Sequence, residues 1–94
     1  MRVIQPSAFK KDVKRQKKRG KDLVKLKEVI DVLVSGEVLP QRHLDHGLSG
    51  NWNGWRDCHI EPDWLLLYKL TPESLTLGWT GTHSDLFQQK TPTK

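Results

Sequence analysis

The stretch Trp55-Arg56-Asp57-Cys58-His59-Ile60-Glu61-Pro62-Asp63-Trp64-Leu65-Leu66-Leu67-Tyr68-Lys69-Leu70 decides the fold. It reads as two strands, residues 55–60 and 64–70, joined by a turn at Glu61-Pro62-Asp63 with proline at the favoured second position. In the second strand Trp64, Leu66, Tyr68 and Leu70 alternate on one face, while Leu65 and Leu67 take the other. A strand that is apolar on both faces needs cover on both, which places it at the centre of a sheet. After Thr71-Pro72-Glu73, residues 74–81 predict a further strand with Leu75, Leu77 and Trp79 on one face.

Upstream, the periodicity changes. Residues 2–5 predict a short strand. Ser7 is the expected N-cap of a helix running to about Arg19, with Phe9 and Val13 as its apolar contacts. Gly20 breaks that pattern. A second helix, from about Asp22 to Val34, carries Leu23, Leu26, Ile30 and Leu33 on one stripe and stops at Ser35-Gly36. The two form an αα-hairpin with Lys10, Lys14, Lys17, Lys18 and Lys21 on its outer face. The expected architecture is α+β, with two N-terminal helices packed on one face of a small, mostly antiparallel β-sheet.

A chain of 94 residues allows one domain, expected over residues 1–88, with 89–94 as a flexible polar C-terminal tail. Such a domain buries only about 60–65% of the surface its unfolded chain exposes. That leaves little room for a deep cavity and favours a shallow groove, which suits a polymer better than a small metabolite. The net charge is +5, and it is unevenly placed: residues 1–36 carry net +7 and residues 37–94 net −2. All four histidines and all four tryptophans lie in the second part. Lysine and arginine displace counterions from phosphates, so this layout points to a nucleic-acid partner. The single cysteine, Cys58, excludes an intramolecular disulfide and reads as a buried, inert thiol in a reducing compartment. No apolar run reaches transmembrane length, so the expected location is cytoplasmic, with no membrane partner.

The chain has no glycine-rich phosphate loop, no C-x-x-C pair, no H-E-x-x-H and no serine in a nucleophile elbow. What remains is a set of histidines near the expected strand ends. His59 and Asp63 flank the hairpin turn, His83 follows the last strand in Thr80-Gly81-Thr82-His83, and His46 lies in the loop entering the sheet. Metal-independent RNA cleavage needs such groups: a base for the 2′-OH, an acid for the departing 5′-oxygen, and positive charge for the phosphorane. The substrate supplies the nucleophile. His43-x-x-His46 falls short of the three or four ligands a zinc site requires, and neither a metal nor a cofactor is expected. Trp64 and Phe87 are candidate faces for stacking on unpaired bases, and Trp52 and Trp55 read as packing residues. A non-catalytic basic module that binds ribosome or nucleic acid is the alternative.

The stretches Asp45-His46-Gly47-Leu48-Ser49-Gly50, Gly54-Trp55-Arg56-Asp57-Cys58-His59-Ile60-Glu61-Pro62-Asp63-Trp64 and Thr80-Gly81-Thr82-His83-Ser84-Asp85-Leu86-Phe87 together resemble the YafQ branch of the RelE superfamily of bacterial toxins. The resemblance implies a RelE-like fold and a ribosome-dependent endoribonuclease that cuts mRNA in the aminoacyl site of the 70S ribosome. It also implies a cognate antitoxin, with operator DNA contacted only through the toxin–antitoxin complex. The residues implied are His46, His59, Asp63, Trp64, His83 and Phe87. His83 would be the general acid, His59 and Asp63 would serve the 2′-OH side, and His46 would contact phosphate or base. Lys10, Lys14 and Lys18 would face ribosomal RNA. Relatives often carry arginine or lysine before the final T-G-x-H; here that segment reads Leu77-Gly78-Trp79.

Overall fold

The structure, a computed structural model, describes residues 1–87, so the expected tail at 89–94 lies outside the described residues. The elements run β1 (Arg2–Ile4), α1 (Ser7–Lys18), α2 (Leu23–Ser35), β2 (His46–Gly47), β3 (Arg56–Glu61), β4 (Trp64–Leu70), β5 (Ser74–Gly81) and α3 (His83–Phe87), with short 3₁₀ turns at Gln41–His43 and Gly50–Trp52. The five strands lie in the order β1-β5-β4-β3-β2. The β1–β5 pair is parallel and the other pairs are antiparallel.

The helix boundaries follow from local chemistry. Ser7, the expected N-cap, is instead the first helical residue of α1; Pro6 precedes it as the cap, and no side chain caps that end. Asp22 caps α2 by accepting the Val24 N–H at 3.0 Å. Gly36 closes α2 in the left-handed region at φ 80°, where a side chain would be strained. Its N–H reaches the Leu33 carbonyl, and the Glu37 N–H reaches that of Val32.

β4 is the middle strand, and its two faces make two cores. Trp64, Leu66 and Tyr68 join Phe9 of α1 and Leu26, Val29 and Leu33 of α2 beneath the helices. Leu65 and Leu67 join Trp52 and Leu86 on the other face, with Trp55 and Trp79 packed against them. Leu70, expected to continue the alternation, is half exposed. Trp79 also departs from expectation. Leu67 pairs with Trp79 and Tyr68 with Leu77, so Gly78 is an extra residue that reverses the alternation. Leu75 and Leu77 therefore stay with the helices while Trp79 turns to the opposite face.

A buried polar network locks these layers together. The Trp64 Nε1–H donates to Thr80 Oγ1 at 2.9 Å, and that hydroxyl donates to the Leu65 carbonyl at 2.7 Å. β1 pairs with β5 only as far as Thr76. Beyond it, the Thr80 N–H is taken by the buried Asp12 carboxylate of α1 at 3.2 Å, meeting the requirement that a buried donor find a partner.

The bulge at Gly78 has a steric consequence. A Cβ there would lie 2.6 Å from Trp55 Cζ3 and 3.3 Å from the Leu67 carbonyl oxygen. Gly78→Ala is expected to cost about 1–3 kcal/mol of stability, the range for overpacking. Urea unfolding checks this, and an unchanged midpoint would show that Trp55 does not sit on the bulge.

Candidate active site

The site lies on the sheet face opposite α1 and α2. His59 pairs across the ladder with Leu65, Asp57 with Leu67, and His46 with Asp57. Cross-strand partners share a face, so these side chains stand with the Leu65–Leu67 core. α3 brings His83 to the same face: its ring centroid is 5.5 Å from that of His59 at an edge-on angle of 65°. Phe87, one helical turn later, lies 6.3 Å from His83 and 5.6 Å from Trp52.

Asp63, in the β3–β4 turn, is the partner of His83. One carboxylate oxygen accepts both the His83 backbone N–H at 2.9 Å and the Nδ1–H at 2.6 Å. Those two bonds hold the Asp63 carboxyl below its ordinary range. With Nδ1 engaged, Nε2 is the nitrogen left for substrate. Asp63, expected to work with His59, thus orients His83 instead, because the turn points the carboxylate at the start of α3.

α3 is itself fastened at both levels. Thr82 Oγ1 accepts the Asp85 N–H at 3.1 Å, and Asp85 accepts the Thr82 N–H at 3.0 Å, a reciprocal capping box. Arg19, at the end of α1, donates to both Asp85 oxygens at 2.6 and 3.3 Å. The guanidinium drives the Asp85 carboxyl far below the usual carboxylate range. Gly81 makes room for this arrangement, since a Cβ there would sit 2.8 Å from the Asp85 carboxylate.

His46 is half exposed. Its Nδ1–H donates to the Leu44 carbonyl at 2.7 Å, and its Nε2 lies 3.7 Å from the carboxylate of Asp57. Leu44 itself sits in the left-handed region at φ 49°. The same loop is anchored by Asp45, which accepts from Arg56 Nε at 3.2 Å and from the Tyr68 hydroxyl at 2.7 Å.

Four sequence expectations are placed together: His46, His59, His83 and Asp63, with Phe87 beside them. Trp64 is a correction. It is fully buried in the helix-side core with its indole N–H donated to Thr80, so it has no face to offer a base. Lys10, Lys14 and Lys18 are exposed along α1. Lys21, expected with them, is tied to Glu61 at 3.0 Å beside Lys25 at 2.9 Å and lies over the Trp64 ring. His43 donates its Nδ1–H to the His59 backbone carbonyl at 2.7 Å. Among the described residues no three His, Cys, Asp or Glu side chains are grouped to hold a metal ion. Cys58 is wholly buried and its thiol is pushed well up by desolvation. Asp57 is a buried carboxylate beside these histidines that the sequence expectations did not single out; its only signal was an acidic residue two positions before His59, on the same strand face.

Comparison with known proteins follows the same lines. Residues 1–88 match the family model described as the bacterial toxin of type II toxin–antitoxin systems, YafQ. The mRNA interferase toxin YafQ of Escherichia coli K12 is 49% identical over 80 residues, covering 84% of this chain and 87% of that protein. The crystal structure of YafQ from E. coli BL21(DE3) superposes with a TM-score of 0.89 at 44% identity, covering 93% of this chain and 99% of that one. The toxin in the crystal structure of the E. coli DinJ–YafQ complex gives 0.86 at 45% identity over the same shares.

The Arg19–Asp85 pair carries a pH signature. A carboxyl depressed in the folded state stabilises above its ordinary value of 3.8, and this contribution is lost as pH falls through the folded value. Asp85→Asn is therefore expected to lose stability near neutral pH and to show a flatter decline than the wild type below about pH 4. Thermal unfolding at a series of pH values checks this; parallel curves would mean the pair adds nothing.

Proposed function

The chain belongs to the YafQ family of bacterial type II toxin–antitoxin toxins, and from that premise we propose that it is an endoribonuclease that cuts mRNA on the ribosome by acid–base chemistry needing no metal ion. The observation that carries the reading is His83, gripped by Asp63 through Nδ1 with the His59 ring 5.5 Å away. Two imidazoles at that separation, one oriented by a carboxylate, suit an acid and a base acting on opposite sides of one phosphate.

His59 accepts the 2′-OH proton as the oxygen attacks phosphorus. His83, with Asp63 stabilising its imidazolium, delivers a proton from Nε2 to the departing 5′-oxygen. The P–O5′ bond breaks, leaving a 2′,3′-cyclic phosphate and a 5′-hydroxyl. His46 faces the phosphate, and Phe87, 38% exposed beside His83, offers its ring to a base flanking the cut. Lys10, Lys14 and Lys18 hold ribosomal RNA. A cognate antitoxin binds and silences the protein, in a complex of the kind that a relative forms in the E. coli DinJ–YafQ crystal structure, and operator DNA is reached only through such a complex. No helix among the described residues is long and apolar enough to cross a membrane, which fits a cytoplasmic site of action.

The test is cleavage of a defined mRNA by the purified protein, with 70S ribosomes present or absent, mapped to the nucleotide. In-frame cuts are expected only with ribosomes, with 5′-hydroxyl ends, and His83→Ala should lower the single-turnover rate by about 10²–10⁴. Products bearing 5′-phosphates, or a loss below about tenfold, would overturn the mechanism. Ribosome binding without any cut would favour the non-catalytic basic module.

A further inference from the structure

Asp57 is a buried carboxylate beneath the histidine cluster, and the cleavage chemistry above gives it no task. It is 4% exposed, and its Oδ1 has no hydrogen-bond partner. A buried carboxylate oxygen left without a donor is costly and calls for a reason. The groups that act on it are His46 from β2, His59 from its own strand, His83 from α3, and Asp45 from the loop before β2. Burial pushes its carboxyl up; the three histidines pull it down, and Asp45 adds to the upward push.

The geometry at His46 decides how the charge is arranged. A carbonyl only accepts, so the Leu44 contact fixes a hydrogen on Nδ1. In the neutral ring, Nε2 then presents a lone pair, and it is Nε2 that lies 3.7 Å from the Asp57 carboxylate. An ionised Asp57 meets a favourable partner there only when Nε2 also carries a proton. A proton on Nε2 would turn this contact into an ion pair with the carboxylate. The arginines bordering the site are committed elsewhere, Arg19 to Asp85 and Arg56 to Asp45.

We infer that Asp57 is a positioning residue that keeps a proton on His46, making His46 the cation that faces the scissile phosphate. This rests on the RNA-cleavage reading and deepens it: positive charge at the phosphorane comes from a histidine charged by a carboxylate below it. A polyanionic substrate favours the imidazolium form further. Asp57 touches no substrate itself; it acts through His46.

The experiment compares the wild type with Asp57→Asn, which keeps the side chain's shape and removes its charge. Imidazole ¹⁵N spectra at matched pH are expected to show less doubly protonated His46 in Asp57→Asn. Single-turnover cleavage on ribosomes should fall about tenfold or more, with the loss growing as pH rises and ribosome binding unchanged. Unaltered His46 spectra, or a loss equal at every pH, would overturn the inference. A second pair of variants serves if Asp57→Asn does not fold: His46→Gln should cost about a hundredfold, and His46→Arg, a permanent cation, should retain more activity than His46→Gln. Arginine doing no better than glutamine would also overturn it. If the wild type cuts no RNA, the cleavage reading fails, while the spectra still decide whether Asp57 charges His46.

Discussion

Two-sided burial of β4 is the constraint on which the rest of this structure depends. Leu65, Leu66 and Leu67 are wholly excluded from water, so the sheet must be covered on both faces. α1 and α2 supply one cover, while the Gly50–Trp52 turn, the aromatic side chains and α3 supply the other. The second cover is small, and it is the one beside which the histidines gather. Placing His83 on the segment that closes the lesser core ties the position of its ring to packing: Leu86 is buried in that core three residues after His83. Thr80 joins the two layers, since its hydroxyl and N–H bind Trp64, Leu65 and Asp12 on β4 and α1.

Rigidity at the site is built from contacts remote in sequence. α3 is only five residues long, too short to be stable alone. Its start is held by the Thr82–Asp85 box, by Arg19 from the far end of α1, and by Asp63 from the β3–β4 turn. The Asp63 contact fixes both the backbone and the ring of His83, so its orientation does not depend on a free rotamer. His46 is fixed from the other side by Leu44 and the Asp45–Arg56–Tyr68 network.

The electrostatics of the site follow one pattern: a carboxylate sits beside a histidine ring nitrogen, Nδ1 in His83 and Nε2 in His46. Asp63 stands behind His83 at the exposed rim, and Asp57 behind His46 in the interior. Depth separates their behaviour. The exposed Asp63 is held ionised by its hydrogen bonds, whereas desolvation pushes Asp57 towards its neutral form. Fixed positive charge is meanwhile spent on structure, at Asp85, Glu61 and Asp45, leaving the exposed lysines of α1 for long-range attraction of phosphate.

Sequence alone determined α1, α2 and the strands β1, β3, β4 and β5 in their order, while the two-residue β2 and five-residue α3 are too short to show a period. The apolar repeat of α2, the Glu61-Pro62-Asp63 turn and the two-sided apolar run at Trp64–Leu70 are local patterns, and local sterics and burial are enough to read them. The T-G-T-H and H-x-E-P-D-W segments likewise marked His59, Asp63 and His83. Tertiary structure decided what pairs with what. That Asp63 serves His83 depends on the bend of a turn against a helix start twenty residues away, and no periodicity encodes that. Trp64 was legible as an aromatic at a strand start, but its face belongs to the core because the helices cover that side of the sheet. Trp79 changed faces because one glycine inserts a bulge, which a strict two-residue alternation hides. Asp57 lay unnoticed because a carboxylate in a strand ordinarily faces water. Only the sheet register, which seats it beside Leu67 and opposite His46, puts it under the histidines, where burial gives its charge consequence.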